Sequence, residues 1–247
     1  MKTSRRGFLK QAGWTILGGG LLGAVVQAPV RSACAASGSG DHLYGYIVDT
    51  TKCIGCGLCA EACRKENRVP QECYRTWVEH YTIYMDGRVE VESPHGGEKS
   101  FAQTEANGKV YRSFFVPKLC NHCKAPNCVQ VCPVGATYVS REGVVLVDQK
   151  QCVGCAYCIQ ACPYGARYLN PLLLVADKCT WCYHRILKGL KPACVTVCPV
   201  GARQFGRLDD PGSPVGSLIK EARLQVLKPE MGNQPMVFYN GLDKEVR

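Results

Sequence analysis

Past residue 35 the chain has no apolar run approaching the roughly 18 residues of a membrane helix. It has no dense Lys/Arg tract interleaved with aromatics, the pattern that tracks a phosphate backbone. No acidic residue precedes position 36, although five cations (Lys2, Arg5, Arg6, Lys10 and Arg31) lie there. Each absence excludes something. The first predicts that the body of the chain is soluble or peripheral. The second argues against a nucleic-acid partner, because the +10 net charge, without those five leading cations, falls to 25 basic against 20 acidic residues. The third marks a leader.

That leader reads as three parts. Ser4 to Lys10 carries paired arginines, Ala12 to Val26 is apolar but diluted by Gly18, Gly19, Gly20 and Gly23, and Ala33-Cys34-Ala35 supplies small residues. A charged head, a short apolar middle and an A-x-A end make a secretory signal, and twin arginines point to the Tat route. Residues 1–35 are therefore expected to be a signal peptide cut after Ala35, with a cut after Ala28 or an uncleaved anchor as alternatives. The expected location is the periplasm, the protein held to the inner membrane through a partner. Tat export of a folded chain suits metal cofactors inserted in the reducing cytoplasm.

Against these absences stands an excess of cysteine, 18 in 247 residues. Sixteen fall in four runs. Cys152, Cys155, Cys158 and Cys162 are spaced C-x2-C-x2-C-x3-C with Pro163 next, the bacterial ferredoxin pattern for cubane clusters. Cys53, Cys56, Cys59 and Cys63 keep the spacing but have Arg64 where the proline would be. Cys120, Cys123, Cys128 and Cys132 widen the middle gap to four residues, and Cys179, Cys182, Cys194 and Cys198 to eleven. Three runs close on CPVGA, CPYGA and CPVGA, so the chain contains an internal repeat.

The spacing has a chemical reason. A cubane has four irons, each needing one outside ligand, and thiolates suit iron–sulfur centres. Three close cysteines on a tight loop reach three corners of one cube. The fourth is carried away by a helical turn and, in two-cluster ferredoxins, ligates the other cluster. Four runs then fill four 4Fe–4S clusters with no ligand missing. Zinc bound by paired C-x2-C and an exported disulfide scaffold are the alternatives; neither requires C-x2-C-x2-C-x3-C-P. Cys73 is expected to be a bystander thiol. His122 and His184 are expected to bond cluster sulfur or cap a turn, because all corners are filled. Lys52, Lys178 and Arg185 either tune clusters by their charge or, as the plainer expectation, are solvated.

The expected elements follow the repeat. Tyr44 to Val48, Phe114 to Val116, Val144 to Val147 and Leu172 to Val175 read as strands leading into the four runs, three of them followed by an aspartate. Each run then reads as loop, helical turn and Cys-Pro-x-Gly-Ala leading to a further strand. Arg141-Glu142-Gly143 reads as a hairpin turn. In an insert at 64–118, Thr76 to Met85, an Asp86-Gly87 turn, Val89 to Val91 and Val110 to Val116 read as strands. Trp77, Tyr81 and Tyr84 are expected to pack over the clusters. Ser213-Pro214 followed by Leu218 to Leu224 is expected to be a capped short helix, and Met236 to Tyr239 a last strand.

With these features assembled, the chain resembles the four-cluster iron–sulfur subunits of respiratory oxidoreductases, among them nitrite reductase electron-transfer subunits and polysulfide, tetrathionate and DMSO reductase subunits. The resemblance covers about residues 43 to 245. It is carried by DTTKCIGCGLCAEAC, KLCNHCKAPNCVQVCPVGA, the third run, and DKCTWCYHR with ACVTVCPVGA. It implies an α+β fold of two nested ferredoxin-like modules: an outer one at 36–113 plus 171–247, and an inner one at 114–170. It implies one ligand set of Cys53, Cys56, Cys59 and Cys198, and a second of Cys63, Cys179, Cys182 and Cys194. The inner sets are Cys120, Cys123, Cys128 with Cys162, and Cys132 with Cys152, Cys155 and Cys158. The implied function is electron transfer in anaerobic respiration, without catalysis by the chain itself. The implied partners are a membrane quinol-interacting subunit and a molybdopterin enzyme or multihaem cytochrome c. A stand-alone iron–sulfur enzyme or polyferredoxin carrier is the alternative.

Overall fold

The computed structural model describes residues 43–98, 101, 108–210, 212–221 and 223–246. The expected signal at 1–35 lies outside them, as does Cys34. Among the described residues, ten strands form two three-stranded sheets and two hairpins, with short helices between them.

Strand β1, Tyr44–Asp49, is the centre of the first sheet. It runs parallel to β10, Val237–Asn240, and antiparallel to β9, Arg203–Arg207. Pairing sets Tyr46 opposite Phe205 and Val48 opposite Arg203, so the strand leading into the first run lies beside the strand leaving the fourth. Flanked on both sides, β1 is buried from Gly45 to Asp49.

The insert forms its own sheet. β2, Thr76–Tyr84, sits between β3, Val89–Glu92, and β4, Val110–Leu119. The Asp86 carboxylate accepts the Arg88 amide at 3.0 Å, which closes the expected turn. Tyr81 stacks on Phe114, and Tyr81 and Trp77 both donate to Glu79. Tyr81 is at the same time part of the core that holds Cys59, Cys120, Cys179 and Cys194, with Trp77 packed against that core.

Two hairpins connect successive runs: β5, Thr137–Val139, with β6, Val145–Val147, joins the second to the third, and β7, Arg167–Leu169, with β8, Ala176–Lys178, joins the third to the fourth. The expected strand at Leu172 to Val175 is not one. Asn170 Oδ1 accepts from the amides of Leu172 and Leu173, and Leu174 has φ +55, so this stretch is the hairpin turn. Local side-chain capping overrides the β-propensity of an apolar run.

The helix of the first run, α1 (Leu58–Asn67), has ten residues. Its counterparts α2 (Asn127–Gln130), α3 (Tyr157–Gln160) and α5 (Ala193–Thr196) have four each. Those three run into the proline of Cys-Pro-x-Gly-Ala, which cannot extend a hydrogen-bonded ladder; Arg64 imposes no such stop. In the fourth run a further turn, α4 (Tyr183–Ile186), occupies the eleven-residue gap. The C-terminal helix α6, Pro214–Glu221, begins at its proline as expected but ends before Leu224. Among the described residues no helix is long and apolar enough to cross a membrane.

Candidate metal centres

Each run is held by backbone devices that the repeat encodes. The aspartate after the leading strand caps the loop: Asp49 accepts from the Thr51 amide at 3.1 Å, and Asp148 from the Lys150 amide at 2.9 Å. At the other end, Cys-Pro-x-Gly-Ala turns its amides toward the cysteine. The Thr137 amide donates to Cys132 Sγ at 3.4 Å. Burial raises the Cys132 thiol, but the amides of Thr137, Val134 and Ala136 outweigh it and hold the thiol below its ordinary value. Gly135, Gly165 and Gly201 have φ of +66, +62 and +61. A Cβ on any of them would meet nothing within 4 Å, so left-handed backbone, and not space, requires glycine there.

The runs meet in pairs. Asn67 Nδ2 donates to Cys63 Sγ at 3.5 Å and to Cys182 Sγ at 3.6 Å, which brings the first run's fourth cysteine to the fourth run. Burial raises the Cys63 thiol, and Cys179, Cys194 and Cys182 raise it further. In the inner runs, one pocket is lined by Cys120, Cys123, Cys128 and Cys162, with Tyr164 and Arg167 beside them. Three of these thiols come from the second run and one from the third. Around the first run, Cys53, Cys56 and Cys59 act on one another, and burial pushes the Cys53 thiol up to about 11. Cys198 and Cys132 each close a run beside its helix, while Cys152 Sγ accepts the Ala176 amide at 3.4 Å and Cys158 is buried on α3. Cys56 and Cys155 are exposed.

These residues fit a cubane. None of the 17 described cysteines is in a disulfide. Among the described residues no group of three or more thiol, imidazole or carboxylate side chains is placed to hold a single metal ion. The pocket of four thiols and the amides directed at sulfur are what a cube requires. Metal binding deprotonates coordinating thiols outright, which overcomes the upward push of burial.

The neighbours sort differently from the expectation. Lys178, for which a solvated position was the plainer expectation, is fully buried, because β8 carries it between the second and fourth runs. Lys52 is exposed and pairs with Asp49 at 3.3 Å. Arg185 and His184 both bond Glu66 on α1, at 2.9 and 2.7 Å, and so tie the fourth run to the first. His122 Nδ1 accepts the Val145 amide at 3.1 Å, and its ring lies 4.1 Å from that of Trp181. Sequence reasoning missed Arg167, Arg203 and Tyr46. The two arginines had a signal: each stands five residues after the last cysteine of its run, where the second run has Thr137. Tyr46 had none, since only the β1–β9 pairing brings it to Cys194.

The 4Fe-4S dicluster domain family matches the chain twice, at residues 52–136 and at 111–208. The chain is 42% identical over 245 residues to a tetrathionate reductase subunit of Salmonella typhimurium, covering 98% of this chain and 90% of that protein. It is 37% identical over 198 residues to a polysulfide reductase subunit of Wolinella succinogenes, covering 79% and 92%. It is 36% identical over 240 residues to the protein NrfC of Escherichia coli, covering 96% and 95%.

Proposed function

The protein is a member of the 4Fe–4S iron–sulfur subunits of respiratory reductases, which transfer electrons and are not the catalytic subunits, and from that premise we propose that it is a periplasmic subunit holding four 4Fe–4S clusters. Its ligand sets are the crossed ones: Cys53, Cys56, Cys59 with Cys198; Cys63 with Cys179, Cys182, Cys194; Cys120, Cys123, Cys128 with Cys162; and Cys132 with Cys152, Cys155, Cys158. The observation that supports this reading best is the pocket in which Cys162 of the third run joins three thiols of the second. When bound, a 4Fe–4S cluster supplies one-electron oxidation and reduction.

The chain's own residues fix the sulfurs, bury eight of the sixteen and leave two exposed. Cys56 is exposed beside exposed Ile54 and Leu58. Cys155 is exposed between Val153 and Tyr157, and a Cβ on Gly154 would meet the Leu174 carbonyl and Leu169. Leu172, 78% exposed, extends that apolar surface. Exposed apolar patches of this kind mark docking surfaces. These two ends suit two partners: an integral-membrane quinol-interacting subunit and a terminal redox subunit, either a molybdopterin enzyme or a multihaem cytochrome c.

Expression of the full chain with its neighbouring genes under anaerobic conditions tests this reading. Recovery from the periplasmic fraction together with a membrane subunit and a second redox subunit is the expected result. Recovery as a lone cytoplasmic protein contradicts it.

A further inference from the structure

Three cations are buried among the cysteine runs: Arg203 is 2% exposed, Arg167 5% and Lys178 0%. Arg203 Nη1 donates to the Tyr46 hydroxyl at 3.3 Å, and Arg203 Nη2 has no hydrogen-bond partner. Its charge meets Cys59, Tyr46 and Cys194. Arg167 donates from Nη2 to Cys128 Sγ at 3.1 Å and from Nη1 to Thr137 Oγ1 at 3.3 Å, and meets Cys128, Cys120 and Cys158. Lys178 Nζ donates to the carbonyls of Val145 and Cys179 and faces Cys120, Arg167, Cys179 and Cys128. The largest charges acting on the three are those of thiols, the Tyr46 hydroxyl and, for Lys178, Arg167.

A buried charge without a counter-ion is strongly disfavoured. Arg167 and Lys178 make the case sharper, since they are paired directly opposite each other across the β7–β8 hairpin. Like charges at such a position repel. Lys178 is fully buried with its Nζ held only by the carbonyls of Val145 and Cys179, so no described hydrogen bond supplies it a counter-charge. Thiolates gathered around a cluster supply that charge.

Taken with the crossed ligand sets, on which this inference rests, the positions fall in order. Arg203 lies between the first set (Cys59) and the second (Cys194). Lys178 lies between the second (Cys179) and the third (Cys120, Cys128). Arg167 lies between the third (Cys128, Cys120) and the fourth (Cys158). We propose that Arg203, Lys178 and Arg167 are the counter-charges of neighbouring clusters, one at each junction of consecutive ligand sets, and that they raise the reduction potentials on either side. Positive charge favours the more negative, reduced form, and net charge and hydrogen bonds to sulfur are among the factors that set these potentials. All three are positioning residues; none ligates iron.

Redox titration followed by EPR, on Arg203→Gln, Arg167→Gln and their Arg→Lys counterparts, tests the proposal, with iron and sulfide measured on each protein. Each Gln variant is expected to keep its iron and to lower the midpoints of the two clusters at its own junction. The shift corresponds to about a tenfold change in the oxidised-to-reduced ratio, ~59 mV for one electron. The other two midpoints stay, and the Lys variants recover at least half of the shift. Iron lost in a Gln variant but kept in the Lys variant also supports a need for charge. Fully loaded Gln variants with unmoved midpoints overturn the proposal, as do Lys variants that shift or lose iron as much as Gln. Those outcomes leave the four-cluster reading standing; a wild-type protein with fewer than four clusters removes that reading instead.

Discussion

The hydroxyl of Tyr46 lies 3.2 Å from Cys194 Sγ, although 148 residues separate them in the chain. The contact joins the strand before the first run to the last helix of the fourth. It also gives Arg203 a buried acceptor. Tyr46→Phe should therefore leave a buried guanidinium donor unmade, at a cost of about 1–3 kcal/mol. Urea unfolding of the anaerobic, loaded protein measures it. A midpoint equal to wild type contradicts the role assigned to this hydroxyl.

Cys162 belongs to the third run by sequence and to the second by position. Cys162→Ser should lower iron from about 16 to about 12 per chain if the affected cube is lost. The EPR signal that disappears should be the same one removed by Cys123→Ser. Loss of the signal that Cys155→Ser removes would refute the crossed ligation.

Much of this site was legible in the sequence, for a physical reason. Cysteines in a loop of fixed spacing meet one cluster whatever the rest of the chain does, so the four runs and their turns could be read locally. The strand at Thr76–Tyr84 followed from loose alternation and its Trp, Val, Tyr, Ile and Thr content. Leu172 to Leu174 misled because Asn170, a single polar residue, decides the turn. The buried cations were hidden differently. Whether Lys178 meets water or is buried depends on β8 pairing with β7, a tertiary fact that composition does not carry.

Glu142 sets one pH dependence. Its carboxylate accepts from the hydroxyls of Tyr183 at 2.7 Å and Ser140 at 2.9 Å, which ties the β5–β6 turn to the fourth run. Those bonds, Tyr183's first, hold its pKa below the ordinary 4.5. A carboxyl depressed in the folded state contributes stability above its unfolded pKa and loses it as pH falls through the folded value. The thermal midpoint difference between wild type and Glu142→Gln should therefore be constant near neutrality and shrink as pH falls below about 4.5. A difference that does not change across that range contradicts the assignment.

The apolar surface beside Cys155 should serve docking and not folding. Leu172→Asp combined with Leu174→Asp places charge on exposed positions of a turn. Iron content and thermal midpoint should stay at wild-type values, while co-purification with one partner subunit falls at least tenfold, about 1.4 kcal/mol of binding. Retention of both partners at wild-type yield argues that this end of the molecule does not dock.

Iron and acid-labile sulfide in the protein made anaerobically with cluster assembly intact weigh the central claim most directly. Four cubes give about 16 irons and about 16 sulfides per chain. A value of about eight or fewer of each, or zinc without sulfide, contradicts it.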